Sequence, residues 1–134
     1  MILTYQTAQQ IINNILAELE RRKVHAAIAV ADSHGELLAF LRMEEVKLHS
    51  ITIAANKAYT AARTKKSTME LGKSVKDPVK GFDISFYGDP KYTGFGGGVP
   101  IFHEGKLIGS VAVSGLTQEE DEVVALLGIK GMFM

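Results

Sequence analysis

Two apolar runs that double back on themselves constrain this chain more than any other feature. Residues 26–31 (AAIAVA) and 36–41 (ELLAFL) flank Asp32-Ser33-His34-Gly35, and residues 99–102 (VPIF) and 107–113 (LIGSVAV) flank Glu104-Gly105. Strand-like runs separated by a short polar segment containing glycine read as hairpins, because glycine supplies the positive φ that a tight reversal needs. Local hairpins pair antiparallel. Their apolar faces must then be covered by whatever the rest of the chain provides.

The rest of the chain provides helices. Residues 4–23 place Ala8, Ile11, Ile12, Ile15, Leu16 and Leu19 at helical spacing, with Thr4 or Thr7 as cap and Arg21, Arg22 and Lys23 at the end. Residues 49–67 stack Ala54, Ala55, Ala58, Ala61 and Ala62, so one face of this helix has little bulk and can approach a sheet closely. Ser67, with Glu70 three positions on, starts a short further helix that Gly72 ends or interrupts. Between residues 75 and 93, turn chemistry at Asp77-Pro78, Gly81 and Gly88-Asp89-Pro90 is interleaved with Phe82, Phe86, Tyr87 and Tyr92, which predicts irregular backbone with one helical turn. Thr117 and Glu120 have capping-box spacing ahead of a last helix. The order predicts an α+β fold, a single antiparallel sheet flanked by helices, formed as one domain over residues 1–134.

Composition narrows the function classes. Fifteen Lys and Arg balance fifteen Asp and Glu, so no net positive field draws the chain to nucleic acid or to an anionic membrane. No apolar run is long enough to span a bilayer, and the N-terminus lacks the basic start of a signal peptide. Cysteine is absent, which removes disulfides, thiolate nucleophiles and Cys-ligated metal sites and suits a cytoplasmic location.

Gly96, Gly97 and Gly98 form the densest glycine cluster. A phosphate loop would lead into a helix bearing Lys and Ser or Thr, whereas this one leads into an apolar strand with Pro100 near its start, and Val99 stands where a dinucleotide fingerprint needs its third glycine. Backbone geometry at a strand entry, or close approach by a flat ligand or a second subunit, remains. Ser114 lacks the Gly-x-Ser-x-Gly frame of a nucleophile elbow, so a capping or turn role suits it better. Lys57, among the alanines, either presents its ammonium beside the small-residue face or lies along the surface. The candidate ligand contacts are Lys57, Gly96, Gly97, Gly98, Val99, Pro100, Ser114 and Gly115. His25, His49 and His103 are the candidate iron or metal ligands, with Glu45 four positions before His49 as a weak pairing; His34 lies in the first hairpin turn.

Three stretches carry a family resemblance: AIAVADSHGELLAFLRME at 27–44, ANKAYTAARTKKST at 55–68 and GGGVPIFHEGKLIGSVAVSGLTQEEDE at 96–122. Together they resemble the GlcG/HbpS haem-binding-like family, whose domain also forms the C-terminal part of PduO-type cobalamin adenosyltransferases. The resemblance implies a profilin-like sheet flanked by helices, assembly into homo-oligomers, haem as a ligand of some members, and a setting near diol, glycerol or glycolate metabolism. Some haem-binding members use a histidine of the first helix; residues 4–22 contain none. The leading expectation is an oligomeric binding domain for a small molecule, a tetrapyrrole such as haem or a corrinoid-related ligand. An enzyme or enzyme accessory acting on a small metabolite, and a purely structural oligomer, are the alternatives.

Overall fold

The computed structural model describes residues 2–133. Helix α1 spans Tyr5–Arg22, and Thr4 caps it by accepting a hydrogen bond from the Thr7 backbone N–H. The first hairpin follows as β1 (Ala27–Asp32) and β2 (Leu37–Arg42). Helices α2 (Leu48–Thr64) and α3 (Thr68–Val75) come next, then a single 3-10 turn at Ile84–Tyr87. The second hairpin is β3 (Gly98–His103) and β4 (Lys106–Ser114), and α4 (Gln118–Ile129) closes the chain, capped by Thr117. No helix among the described residues is long and apolar enough to cross a membrane.

The hairpins join through their inner strands in one antiparallel sheet of order β2-β1-β4-β3. Ala27 pairs with Ser114 and Asp32 with Gly109 across the central seam. Successive residues of a strand point to opposite faces. Ser110 donates to the Ala58 carbonyl of α2 at 2.5 Å, whereas a Cβ at Gly109 would collide with Leu3, ahead of α1. Helix α2 therefore covers one face, and α1 with α4 the other. That double cover is why β1 is buried along nearly its whole length, with its Ile28 and Val30, and Val111 and Val113 of the neighbouring β4, fully enclosed.

The irregular segment before β3 is strapped to α2 by polar contacts. Tyr59 donates its phenol to Asp89 at 2.5 Å, the Thr93 N–H donates to Thr60 Oγ1 at 3.0 Å, and Arg63 Nε donates to the Tyr92 hydroxyl at 2.9 Å. The Tyr59 hydrogen bond holds the Asp89 carboxyl below its usual range. Edge-to-face stacking of Tyr92 on Tyr59 and on Tyr87 completes the strap.

Gly72 neither ends nor interrupts its helix, contrary to the expectation from sequence. It lies inside α3 because the Gly94 backbone crosses the helix there, and a Cβ would come within 2.2 Å of the Gly94 carbonyl oxygen. Gly72→Ala distinguishes the two roles by sign. Replacing a helix-interior glycine by alanine ordinarily stabilises by about 1 kcal/mol; here overpacking should destabilise by about 1–3 kcal/mol, read as a lower urea midpoint at unchanged slope.

Candidate functional site

At the end of the sheet where β4 hands over to α4, the elements leave a cavity of about 570 Å³, within the ~300–1,000 Å³ usual for small-molecule sites. Ser50, Ile53 and Lys57 share one face of α2, being three and four residues apart. Val75 and Lys76 come from the end of α3, and Ile84, Thr93, Gly94 and Phe95 from the strapped segment. Ser114, Gly115 and Leu116 leave β4 along its wall, Gln118 and Asp121 enter from α4, and Lys47 and His49 stand at the start of α2.

Lys57 does not lie along the surface. Its side chain is 3% exposed, because the alanine face brings α2 close to the sheet and the stem runs inward rather than along the surface. Its Nζ donates to Asp121 Oδ2 and to the Val113 carbonyl, each at 2.9 Å, and Asp121 Oδ1 accepts from the Leu116 N–H at 3.0 Å. Burial pushes the Lys57 pKa down, against the pull of the Asp121 charge. Burial pushes Asp121 up, against the ammonium and the Leu116 N–H. The pair holds α2, β4 and α4 together at a single point.

From sequence, Asp121 reads as one of three first-turn acids that complement the α4 dipole. The structure turns it inward, where it is 2% exposed, while Glu119 and Glu120 stay in solvent. The signal was present in the spacing: Asp121 lies three, four and seven residues before Val124, Ala125 and Gly128, the buried face of α4.

Gly96, Gly97 and Gly98 are all buried and serve packing inside the protein. Gly97 has φ 130°, and a Cβ there would approach Lys57 Nζ at 2.7 Å and the Val113 carbonyl oxygen at 2.6 Å. A Cβ at Gly98 would meet the Lys57 carbonyl oxygen at 2.6 Å. The Gly96 and Gly98 N–H groups donate to Gln118 Oε1 and Thr68 Oγ1. The cavity is lined instead by their neighbours Gly94 and Phe95, while Val99 and Pro100 belong to β3. Ser114 is the last residue of β4, opposite Ala27, and Thr117 is the cap of α4, so the capping role expected for Ser114 falls to Thr117.

The histidines separate. His49 lines the cavity. His25 places Nδ1 2.7 Å from the Glu44 carbonyl oxygen in the α1–β1 connection, and His103 ends β3; neither lines it. Glu45 has φ 65° and precedes α2, so it makes no helical pair with His49. Among the described residues no three His, Asp or Glu side chains gather as a metal cluster.

Two outcomes test this arrangement. Lys57→Met or Asp121→Asn alone should cost about 3–5 kcal/mol, because each strands a buried group, and the double variant Lys57→Met with Asp121→Leu should recover most of it. Additive losses in chemical denaturation would show the pair to be uncoupled. Gly97→Ala should lower stability by more than about 1 kcal/mol, since alanine is strained at this φ and displaces the Lys57 ammonium.

The fold and site together define an α+β domain with one antiparallel sheet, helices on both faces and a cavity at the sheet end. The chain belongs to the HbpS-like family: the family model described as haem degrading protein HbpS-like matches residues 3–130. It is 37% identical to the protein GlcG of Escherichia coli (strain K12), over 85% of this chain and 82% of that one. It is 30% identical to the corrinoid adenosyltransferase PduO of Citrobacter freundii, over 93% of this chain but 37% of that one. An uncharacterized 15.0 kDa protein of the dhaT-dhaS intergenic region of the same organism is 31% identical, over 92% of this chain and 87% of its own length. Among solved structures, a PduOC:heme complex superposes with a TM-score of 0.90 at 27% identity, covering 96% of this chain and 94% of that one. HbpS superposes at 0.87 with 25% identity, covering 98% and 91%.

Proposed function

We propose that this chain is a small-molecule-binding domain whose cavity takes a tetrapyrrole, haem in the first instance. The observation that carries the reading is the cavity's composition. Ile53, Val75, Ile84, Phe95 and Leu116 offer walls for a flat apolar ring, and Lys47 and Lys76 stand where acidic side groups of such a ring would need cations. The haem bound by the structurally similar PduOC supports the same ligand class.

The residues fit the group. His49 is the imidazole that lines the cavity and would supply a nitrogen ligand to the iron, a role that α1, with no histidine between residues 4 and 22, does not offer. Bound haem supplies redox-active iron. The chain's part is to exclude water with its apolar walls and to hold the ring's carboxylates with Lys47 and Lys76. Assembly into homo-oligomers belongs to the proposal and is supported by α4, whose outer residues Val123, Leu126 and Leu127 are exposed, so that the helix is apolar on more than its core face. The setting in diol, glycerol or glycolate metabolism belongs to it as well, as does a cytoplasmic location.

Titrating the purified protein with hemin and following visible absorption tests the reading. Saturable binding with a shifted Soret band is expected. His49→Ala should move the band, His25→Ala and His103→Ala should leave it in place, and Lys47→Glu with Lys76→Glu should weaken affinity. No spectral change with hemin, or identical spectra and affinities across these variants, would remove the tetrapyrrole from this cavity. A second reading, an enzyme or accessory acting on a small metabolite, is favoured by the Lys57–Asp121 pair with Ser50 and Ser114 beside the same cavity; turnover without a chromophore would select it.

A further inference from the structure

Three polar side chains of the cavity are buried without being fully used by the protein. Lys57, Ser50 and Ser114 are 2%, 4% and 3% exposed, and all three line the cavity. An ammonium has three donors. Two of those of Lys57 go to Val113 and Asp121, and the third has no protein acceptor among the described residues. No hydrogen bond joins either serine hydroxyl to another described residue, and both oxygens reach the open space of the cavity, because the buried side-chain polar atom without a partner among the described residues is His103 Nδ1. The cavity wall thus carries donors that the protein does not fully use.

The charge balance says which oxygen. Lys57 and Asp121 are neutral as a unit, so a carboxylate reaching Lys57 would meet the Asp121 oxygens beside it. A carbonyl oxygen is uncharged and only accepts, which matches donors without adding charge. Ile53, Val75, Ile84, Phe95 and Leu116 line the same cavity and suit a hydrocarbon chain. We propose that the cavity captures aliphatic aldehydes and that Lys57 condenses with them to form an imine.

The step is complete with the groups present. Asp121 takes a proton from the Lys57 ammonium across the 2.9 Å contact. The freed lone pair attacks the carbonyl carbon, the carbon–nitrogen bond forms, and the π pair moves to oxygen, which takes the proton from Asp121. Asp121 then removes a proton from the new nitrogen and delivers it to the hydroxyl, which leaves as water with the carbon–oxygen pair while nitrogen closes the C=N bond. One ammonium and one aldehyde become one iminium, paired with the Asp121 carboxylate, and one water. No oxidant or reductant is consumed. Burial favours the first transfer, since it lowers Lys57 and raises Asp121 together. The proposal stands whether or not a tetrapyrrole also enters the cavity.

Hexanal with cyanoborohydride at neutral pH, followed by peptide mapping, tests it. Burial lowers the Lys57 pKa and so raises its share of free amine at this pH, and alkylation at Lys57 should form a fast phase ahead of every exposed lysine. The preference should vanish in urea, and Lys57→Arg should lose the fast phase while keeping the slow one. Labelling confined to exposed lysines in the folded protein, labelling of Lys57 no faster than theirs, or a fast phase that survives in Lys57→Arg would each overturn the proposal.

Discussion

The contact between Lys57 and Asp121 sets the terms for the rest of the structure. Two charges taken out of water are costly, and their attraction offsets that cost only when the geometry is good and the remaining donors and acceptors are met. Here Val113 takes a second Lys57 hydrogen and Leu116 supplies Asp121 with a second donor. These bonds bring the middle of α2, the end of β4 and the first turn of α4 to one place. Gly97 must be glycine there, because the ammonium occupies the space its side chain would need.

Close backbone approach is the second theme, and it follows from the first. Ala54 and Ala58 let α2 settle on the sheet, Gly98 passes over the Lys57 carbonyl, and Gly72 and Gly94 let α3 touch the segment before β3. Gly128 of α4 accepts the Ile15 side chain of α1 on the other face in the same way. Interiors packed at this density leave little free volume. The cavity survives only where the strapped segment stands off from α2 and the β4–α4 junction, so the aromatic and polar contacts of Tyr59, Tyr92 and Asp89 hold the segment that forms its outer wall.

Much of this was legible in the sequence. The two hairpins, the caps at Thr4, Ser67 and Thr117, and the small-residue face of α2 depend on local chemistry, which neighbouring residues carry. The irregular, aromatic segment before β3 was legible for the same reason, down to its single helical turn at Ile84–Tyr87. Membership of the HbpS-like family also rests on local strings of residues. The candidate site was legible in part: Lys57, Ser114, Gly115 and His49 do meet at one cavity, while His25 and His103 stand elsewhere and the glycines at 96–98 are packed behind it.

What the sequence by itself determined was the antiparallel hairpins, the helices around them and the small residues where backbones must come close, since each follows from propensity, turn chemistry and periodicity within a few positions. What only the tertiary structure decided was the partner of Lys57, the inward turn of Asp121 and the choice of Gly94 and Phe95 over Gly96–Gly98 as cavity wall. Lys57 and Asp121 are 64 residues apart in the chain. A charge's partner at that distance is set by how the layers stack, and burial, which moves both pKa values, exists only after they have stacked.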